Sequence, residues 1–373
     1  VYATGQGGGA GDARINVRGF NQRNVAVMIN GVPQNDMENG WVYWSNWDGV
    51  GDATSSIQMQ RGLSAVNLAT PSIGGTMNII TDPTALERGG KFKQEIGAAG
   101  FVKTTLNYNT GLMLGDKLAL STTLVKKTGD GLIDGTWTDA YAYYLGGSYA
   151  VSDDQRFELY AIGAPQRHGQ NLYKQNIATY SQELAGDIGF DDLGNGYDPT
   201  AFAEGEKFET EKGRFFNQNW APVDESYTGQ QYWYMYGART TDRKIGNLLN
   251  ERENFFHKPL VNLNHFYDVN DQVRVSSILY WSGGSGGGTG TYGSVSRAPA
   301  VEGSPWYASS PWTWDWNAEI AQNSANVDSA WSDTENRSTG ILRNSINRQN
   351  TYGLISKLNY DVNDDLEVCL LYT

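Results

Sequence analysis

The sequence predicts an all-β membrane protein: a small mixed sheet, then about nine strands of a transmembrane antiparallel β-barrel. Three observations predict it. The stretch from Arg14 to Asp82 holds short apolar runs broken by glycines. From Lys91 to the end, apolar and polar residues alternate with period 2. Between those alternating segments, short acidic turns alternate with long connections.

In the first stretch the β-runs are Ile15-Asn16-Val17, Val25 to Ile29 and Thr76 to Ile80. Val25-Ala26-Val27-Met28-Ile29 is apolar at both parities, which predicts a strand buried on both faces. Asn30-Gly31-Val32-Pro33 stops it as a turn, because Gly accepts positive φ and Pro cannot donate to a ladder. Met59-Gln60-Arg61-Gly62 and Ser72-Ile73-Gly74-Gly75 punctuate the second half in the same way, and Ser64 to Leu68 reads as a short helix.

In the second stretch Leu118, Leu120 and Leu124 share one face and Ala119, Ser121 and Thr123 the other. Tyr141, Tyr143, Leu145 and Tyr149 alternate with Ala142, Gly146, Ser148 and Ala150, and Val273, Val275, Leu279 and Trp281 oppose Arg274, Ser276 and Tyr280. Alternation of this kind places an apolar medium on one side and a polar one on the other. Leu114-Gly115-Asp116-Lys117, Val151-Ser152-Asp153-Asp154, Val269-Asn270-Asp271-Gln272 and Val362-Asn363-Asp364-Asp365 are near-copies of one tight turn. The last two extend to a five-residue repeat, Tyr267-Asp268-Val269-Asn270-Asp271 and Tyr360-Asp361-Val362-Asn363-Asp364. Long outer connections are expected over 167–255 and 283–347, with Gly283 to Gly288 read as flexible loop. Loops sorted by length to opposite ends suit an outer-membrane barrel, whereas loops above about fifteen residues are uncommon in a soluble sandwich. Tyr352 and Tyr360 share a parity eight residues apart. That is about 26 Å along a strand, near the separation of two interfacial girdles once the strand tilts.

Arg18-Gly19-Phe20, the Val27-to-Pro33 run, Arg61-Gly62 and Ile73-Gly74-Gly75 followed by Asn78-Ile79-Ile80-Thr81 occur in one order over about seventy residues. That order resembles the plug domain of TonB-dependent outer-membrane receptors, with Asn30 where the family usually has Asp. The resemblance implies a division into the later part of a plug (1–82), a linker (83–90) and the start of the barrel (91–373). It implies an N-terminally incomplete chain, since Val1 to Gly11 enters the plug partway, and a mixed α+β plug inside a barrel of about 22 strands, of which these are the first nine. It implies active import of a scarce nutrient (glycan, peptide, siderophore or other chelate), no enzyme activity, and a TonB–ExbB–ExbD energising partner acting through a segment ahead of this one. Outer-membrane lipids surround such a barrel. The Trp-rich loops look similar to receptors of Bacteroidota, some of which carry a surface lipoprotein lid. The resemblance further implies a gating or structural role in the plug for Arg18, Gly19, Gly31, Arg61, Gly62, Gly74 and Gly75, with the two arginines in charged hydrogen bonds to the plug or barrel wall.

A net charge of -13 without a basic stripe argues against nucleic acid as partner. The histidines, His168, His257 and His265, share no metal-ligand spacing. No catalytic constellation stands out, and Glu251/Glu253 have no active-site setting. The loop Asn35 to Asp48 is the strongest binding candidate: Asn35, Asp36, Trp41, Tyr43, Trp44 and Trp47 combine aromatic faces with polar groups. The plainer reading is that some of these aromatics pack the plug against the wall. In the long loops Trp233, Trp306, Trp312, Trp314 and Trp316 are candidates for substrate or lid contact, against a self-packed loop core. Asp191, Asp192, Asn195 and Asp198 offer oxygen ligands for Ca²⁺ but miss the EF-hand spacing. No other cofactor is expected. Two rival roles are an outer-membrane assembly platform and a soluble β-rich glycan-binding module.

Overall fold

The computed structural model describes residues 2–5, 12–62, 72–173, 175–188, 211–234, 238–300, 302–303, 305 and 311–373. The predicted helix at Ser64 to Leu68 lies outside them.

The N-terminal domain is two small sheets. Strands β1 (Tyr2–Gly5), β2 (Ala13–Val17) and β3 (Phe20–Asn21) form an antiparallel trio. Strands β4 (Val25–Ile29), β5 (Val32–Pro33), β6 (Ser56–Arg61) and β7 (Gly75–Ile80) form a sheet in the order β5-β4-β7-β6, with β4 parallel to β7. All five residues of β4 are buried, as its double-parity hydrophobicity predicts. The turn after it is built on Asn30, at φ 49. Its side-chain amide donates to Thr81 Oγ1 (2.8 Å) and its side-chain oxygen accepts from Thr81 N (2.9 Å). A carboxylate could keep the second bond and accept the first from the Thr81 hydroxyl, which explains why Asn and Asp are both suited to this position.

The wall begins at β8 (Gly89–Ile96) and continues antiparallel through β9 (Val102–Asn109), β10 (Leu118–Gly129) and β11 (Thr138–Ala150). The next stave is β12 (Gln155–Gly163), carried on past Ala164-Pro165 by β13 (Gln166–Gly169). A long insertion follows, with paired strands β14 (Trp220–Pro222) and β17 (Leu248–Asn250), and between them β15 (Gln230–Tyr234) and β16 (Ala238–Asp242). The chain returns as β18 (Glu253–His257) and β19 (Leu260–Asn270), then β20 (Val273–Gly293). A second insertion carries β21 (Arg297–Ala298), β22 (Thr313–Trp314) and the helix Trp316–Ala325. Strands β23 (Gly340–Asn363) and β24 (Leu366–Tyr372) end the series. Eleven paired segments thus make nine consecutive staves of one sheet.

Two expected loops are shorter than the sequence suggests. Gly283 to Gly288 is strand: β20 runs to Gly293, paired with β18 and β23. Its glycines let neighbouring side chains cross it. A Cβ on Gly284 would meet the Gln349 side chain at 2.6 Å, one on Gly290 the Arg252 guanidinium at 2.5 Å, and one on Gly286 the Phe256 ring. The other insertion is shortened by β13 and β18, which extend the wall within 167–255.

The five-residue repeat is a structural device. Each copy holds a β-bulge, between Asp268 and Asn270 and between Asp361 and Asn363. The following Asn caps the turn, Asn270 Oδ1 accepting from Gln272 N and Val273 N and Asn363 Oδ1 from Asp365 N. Adjacent turns are laced: Ala150 N donates to Lys117 O, Asp268 N to Asp154 O and Asp361 N to Gln272 O. Short turns lie at this end, and the two long insertions at the other.

On the outer face, Leu120, Leu159, Leu263, Leu279 and Leu354 form an exposed cross-strand row interrupted by Gly147. Aromatics bound it at both ends. Tyr149, Phe157, His265, Tyr267 and Tyr360 lie toward the short turns, with His265 stacked on Phe157 at 4.5 Å. Tyr141, Trp281 and Tyr352 lie toward the insertions. The eight-residue interval of Tyr352 and Tyr360 recurs in Tyr141 and Tyr149. No described helix is long and apolar enough to cross a membrane.

Replacing Asn30 with Ala removes both bonds to Thr81 and leaves its buried groups unpaired, a cost of about 1–3 kcal/mol. Proteolysis of the folded protein in detergent is expected to nick the Asn30→Ala plug several-fold faster than wild type, with Asn30→Asp close to wild type.

Candidate functional site

The apical loop between Pro33 and Ser56 is organised by polar groups turned inward. Asn35 is spent on backbone: its Oδ1 accepts from Val27 N (2.9 Å), and its Nδ2 reaches Val25 O and Gly40 O (both 3.0 Å). Asp36 Oδ1 accepts from Glu38 N and Asn39 N (both 3.1 Å), closing the turn to Trp41. Trp44 is half-buried against the plug core and donates from Nε1 to Gln22 Oε1 (2.8 Å). Trp47 is 5% exposed and belongs to that core. Of the six predicted residues, Trp41 and Tyr43 remain available. Tyr43 is 42% exposed and accepts from Asn39 Nδ2 (3.1 Å). Trp41 has the Arg23 guanidinium 4.5 Å and that of Arg14 5.5 Å from its ring centroid, within cation–π range. These arginines carry no sequence signal of their own, because Arg14 lies 27 residues before Trp41 and meets it only through β2.

Wall and loop are joined by charge. Lys103 Nζ pairs with Asp52 Oδ2 (2.7 Å), Lys127 pairs with Asp48, and Asn107 donates to Asp52 O (3.1 Å). Lys258 Nζ lies 6.0 Å from the Trp47 ring. Lys103 and Lys127 stand toward the insertion ends of β9 and β10, and Asn107 toward the short-turn end of β9. Below them plug and wall share one core, in which Tyr144, Tyr160, Ile162 and Leu260 pack with Val27, Ile29, Trp47 and Ile79.

Among the plug residues for which a gating or structural role is expected, Gly19, Gly31, Gly62 and Gly75 have positive φ, while Gly74 is required by close approach, a Cβ there meeting Asn24 O at 2.9 Å. At Gly75, φ 132 combines with the Gln60 carbonyl in the space a Cβ would fill. The expected charged hydrogen bonds of Arg18 and Arg61 are not found among the described residues, and both side chains are exposed. The seam is carried instead by Lys103 and Lys127.

The long loops form a core of their own. Trp314 and Trp316 are buried with Ala221, Val223 and Leu249, and Trp312 packs alongside. The Trp312–Trp314 pair stands edge-on at 4.8 Å, with Arg297 over both rings. These three tryptophans therefore hold two insertions together. Beneath them Glu251, fully buried, accepts from Trp314 Nε1 (2.9 Å) and Asn219 Nδ2 (2.8 Å), and Glu253 pairs with Arg243 (2.8 Å) and Arg167 (3.0 Å). Burial pulls the Arg243 guanidinium below its ordinary value, which the Glu253 carboxylate opposes. The side chain of Trp233, and Trp306, Asp191, Asp192, Asn195 and Asp198, lie outside the described residues.

Residues 1–76 match the family model described as the TonB-dependent Receptor Plug Domain. Among solved structures the chain is similar to the ferric-catecholate import receptor Fiu of E. coli K12 in its closed form, at 14% identity and TM-score 0.50, over 95% of this chain and 39% of that one. It is similar also to the ferric citrate transporter FecA in its unliganded form, at 12% identity and TM-score 0.52, over 96% of this chain and 40% of that one. The chain thus spans about two fifths of their length. No curated protein matches its sequence. Residues 1–76 thus carry the plug domain of TonB-dependent receptors, and the wall around it has the fold of the barrels in these two structures.

Each seam pair is a hydrogen bond to a charged group, worth about 1.5–3 kcal/mol. The double variant Lys103→Ala/Lys127→Ala is expected to raise sensitivity to a large antibiotic such as vancomycin several-fold in cells lacking TonB, with normal amounts of barrel in the membrane. In the loop core, Glu253→Gln leaves Arg243 and Arg167 without their carboxylate. The 170–252 insertion should then be cleaved by protease at least tenfold faster than in wild type.

Proposed function

We propose that the protein imports an anionic metal chelate across the outer membrane, receiving it on Trp41 and Tyr43 beside Arg14 and Arg23. The observation that carries this reading is the pair of guanidinium groups over one indole, in a plug loop whose Asp48 and Asp52 pair with the wall. An aromatic face supplies apolar area, and the arginines supply charged hydrogen bonds to carboxylate or catecholate oxygens. The two similar structures are an import receptor for ferric catecholates and a transporter of ferric citrate, and these suggest the substrate class.

In this reading the plug stays shut through the shared core and the Lys103–Asp52 and Lys127–Asp48 pairs. Substrate at the apex biases the loop that carries Asp48 and Asp52, and a pull from TonB–ExbB–ExbD on the plug then breaks the seam. No bond of the substrate is made or broken.

Fluorescence titration of the purified full-length receptor with ferric citrate and a ferric catecholate tests it. Trp41→Ala should weaken binding of the preferred chelate about tenfold or more without loss of folded barrel on a heat-modifiability gel, whereas Trp47→Ala should lower the folded fraction. Unchanged affinity in Trp41→Ala would remove the apex from the proposal. Tighter binding of a neutral oligosaccharide than of either chelate would overturn the substrate class.

A further inference from the structure

A second site stands well outside the barrel, where β20 and β23 end. Strand β20 continues twelve residues beyond Trp281 to Gly293, about 40 Å along the strand past the outer aromatic row. At its tip is a cleft of about 690 Å³, lined by Tyr292, Val327, Asp328, Arg337, Thr339 and Ile341. That volume lies within the range of small-molecule sites.

The cleft is built rather than incidental. Its far wall, residues 326–337, is a hairpin-like turn closed by Arg337 N to Asn326 O (2.8 Å) and Asn326 Nδ2 to Arg337 O (2.7 Å). Asn323 at the end of the helix ties the turn to the strand, its Oδ1 accepting from Thr339 N and its Nδ2 donating to Gly340 O (both 2.8 Å). Yet the cleft leaves large apolar groups in water: Tyr292 is 62% exposed, Val327 47% and Ile341 45%. Trp331, 78% exposed, stands at the tip of the turn with Arg337 over its ring.

Charge selects the ligand. The carboxylate in the lining, Asp328, is neutralised by Arg337. Arg343, exposed, lies 5.3 Å from the Tyr292 ring centroid, and among the described residues no carboxylate pairs with it. Arg252, which approaches the same stretch of β20 at Gly290, is already paired with Glu251. The cleft therefore offers an aromatic and aliphatic floor with one uncommitted guanidinium at its edge, on a chain of net charge -13. We infer that it is a docking site for a small anionic, ring-bearing solute: its ring lies against Tyr292, Val327 and Ile341, and its anionic group is held by Arg343. The site does not depend on the apical site and would stand if that one failed.

Photolabelling the full-length receptor in outer-membrane vesicles with 4-azidobenzoate, followed by peptide mass mapping, tests it. Adducts are expected on peptides containing Tyr292 and residues 326–341, competed by benzoate and at least fivefold less by benzamide, its neutral isostere. Arg343→Gln should cut the yield on those peptides about fivefold or more while labelling elsewhere is unchanged, which also reports that the barrel is intact. Absence of adducts there, equal competition by benzamide, or full labelling in Arg343→Gln would overturn the proposal.

Discussion

The packing of one strand, Val25–Ile29, against both the plug sheet and the barrel wall is the contact on which the rest depends. Fully burying each Val, Met or Ile contributes about 1.5–3 kcal/mol. Here that burial serves two domains at once, because Tyr144, Tyr160, Ile162 and Leu260 of the wall join the same cluster. The plug is held in the lumen chiefly by area removed from water, and the ion pairs at Asp48 and Asp52 set where the apical loop sits. The two kinds of contact differ in character. Apolar packing is non-directional, while the charged seam near the apex is local and can be broken one pair at a time.

The wall beyond the girdles follows a different logic. In lipid every backbone group must find a partner within the sheet, so the strands are long and laced turn to turn at the short-turn end. Past the outer aromatic row the strands run on as a stalk that carries the insertions. There the two loops bury a tryptophan core over the Glu251 and Glu253 network, each carboxylate meeting charged or hydrogen-bonding partners. A buried carboxylate that lost those partners would be costly, so the network fixes how the loops meet. Trp312, Trp314 and Trp316 are drawn inward for that purpose, while Trp331 and Tyr292 are left at the surface.

Much of this was legible in the chain itself. Double-parity hydrophobicity marked β4, period 2 marked the wall, and the copied Asn-Asp turns marked its short-turn end, because strand pleat and turn geometry leave local patterns. The glycine-rich Gly283 to Gly288 misled, since the same residues that suit a loop also suit a strand crossed by its neighbours' side chains. Residues alone left open which apical aromatics pack and which stay free: Trp41 and Trp44 are three apart, and only the position of Gln22 and of the core separates their fates.

By itself the sequence determined the class of fold, the sorting of loops to two ends and the position of the apical loop. Each of these follows from local periodicity or from a motif in order. The tertiary structure alone decided the sites. Arg14 and Arg23 meet Trp41, Lys103 meets Asp52, and Arg343 meets Tyr292 across separations that no local pattern encodes. Pairing register brings such residues together, and whether a side chain is spent on packing or left for a ligand depends on every neighbour at once.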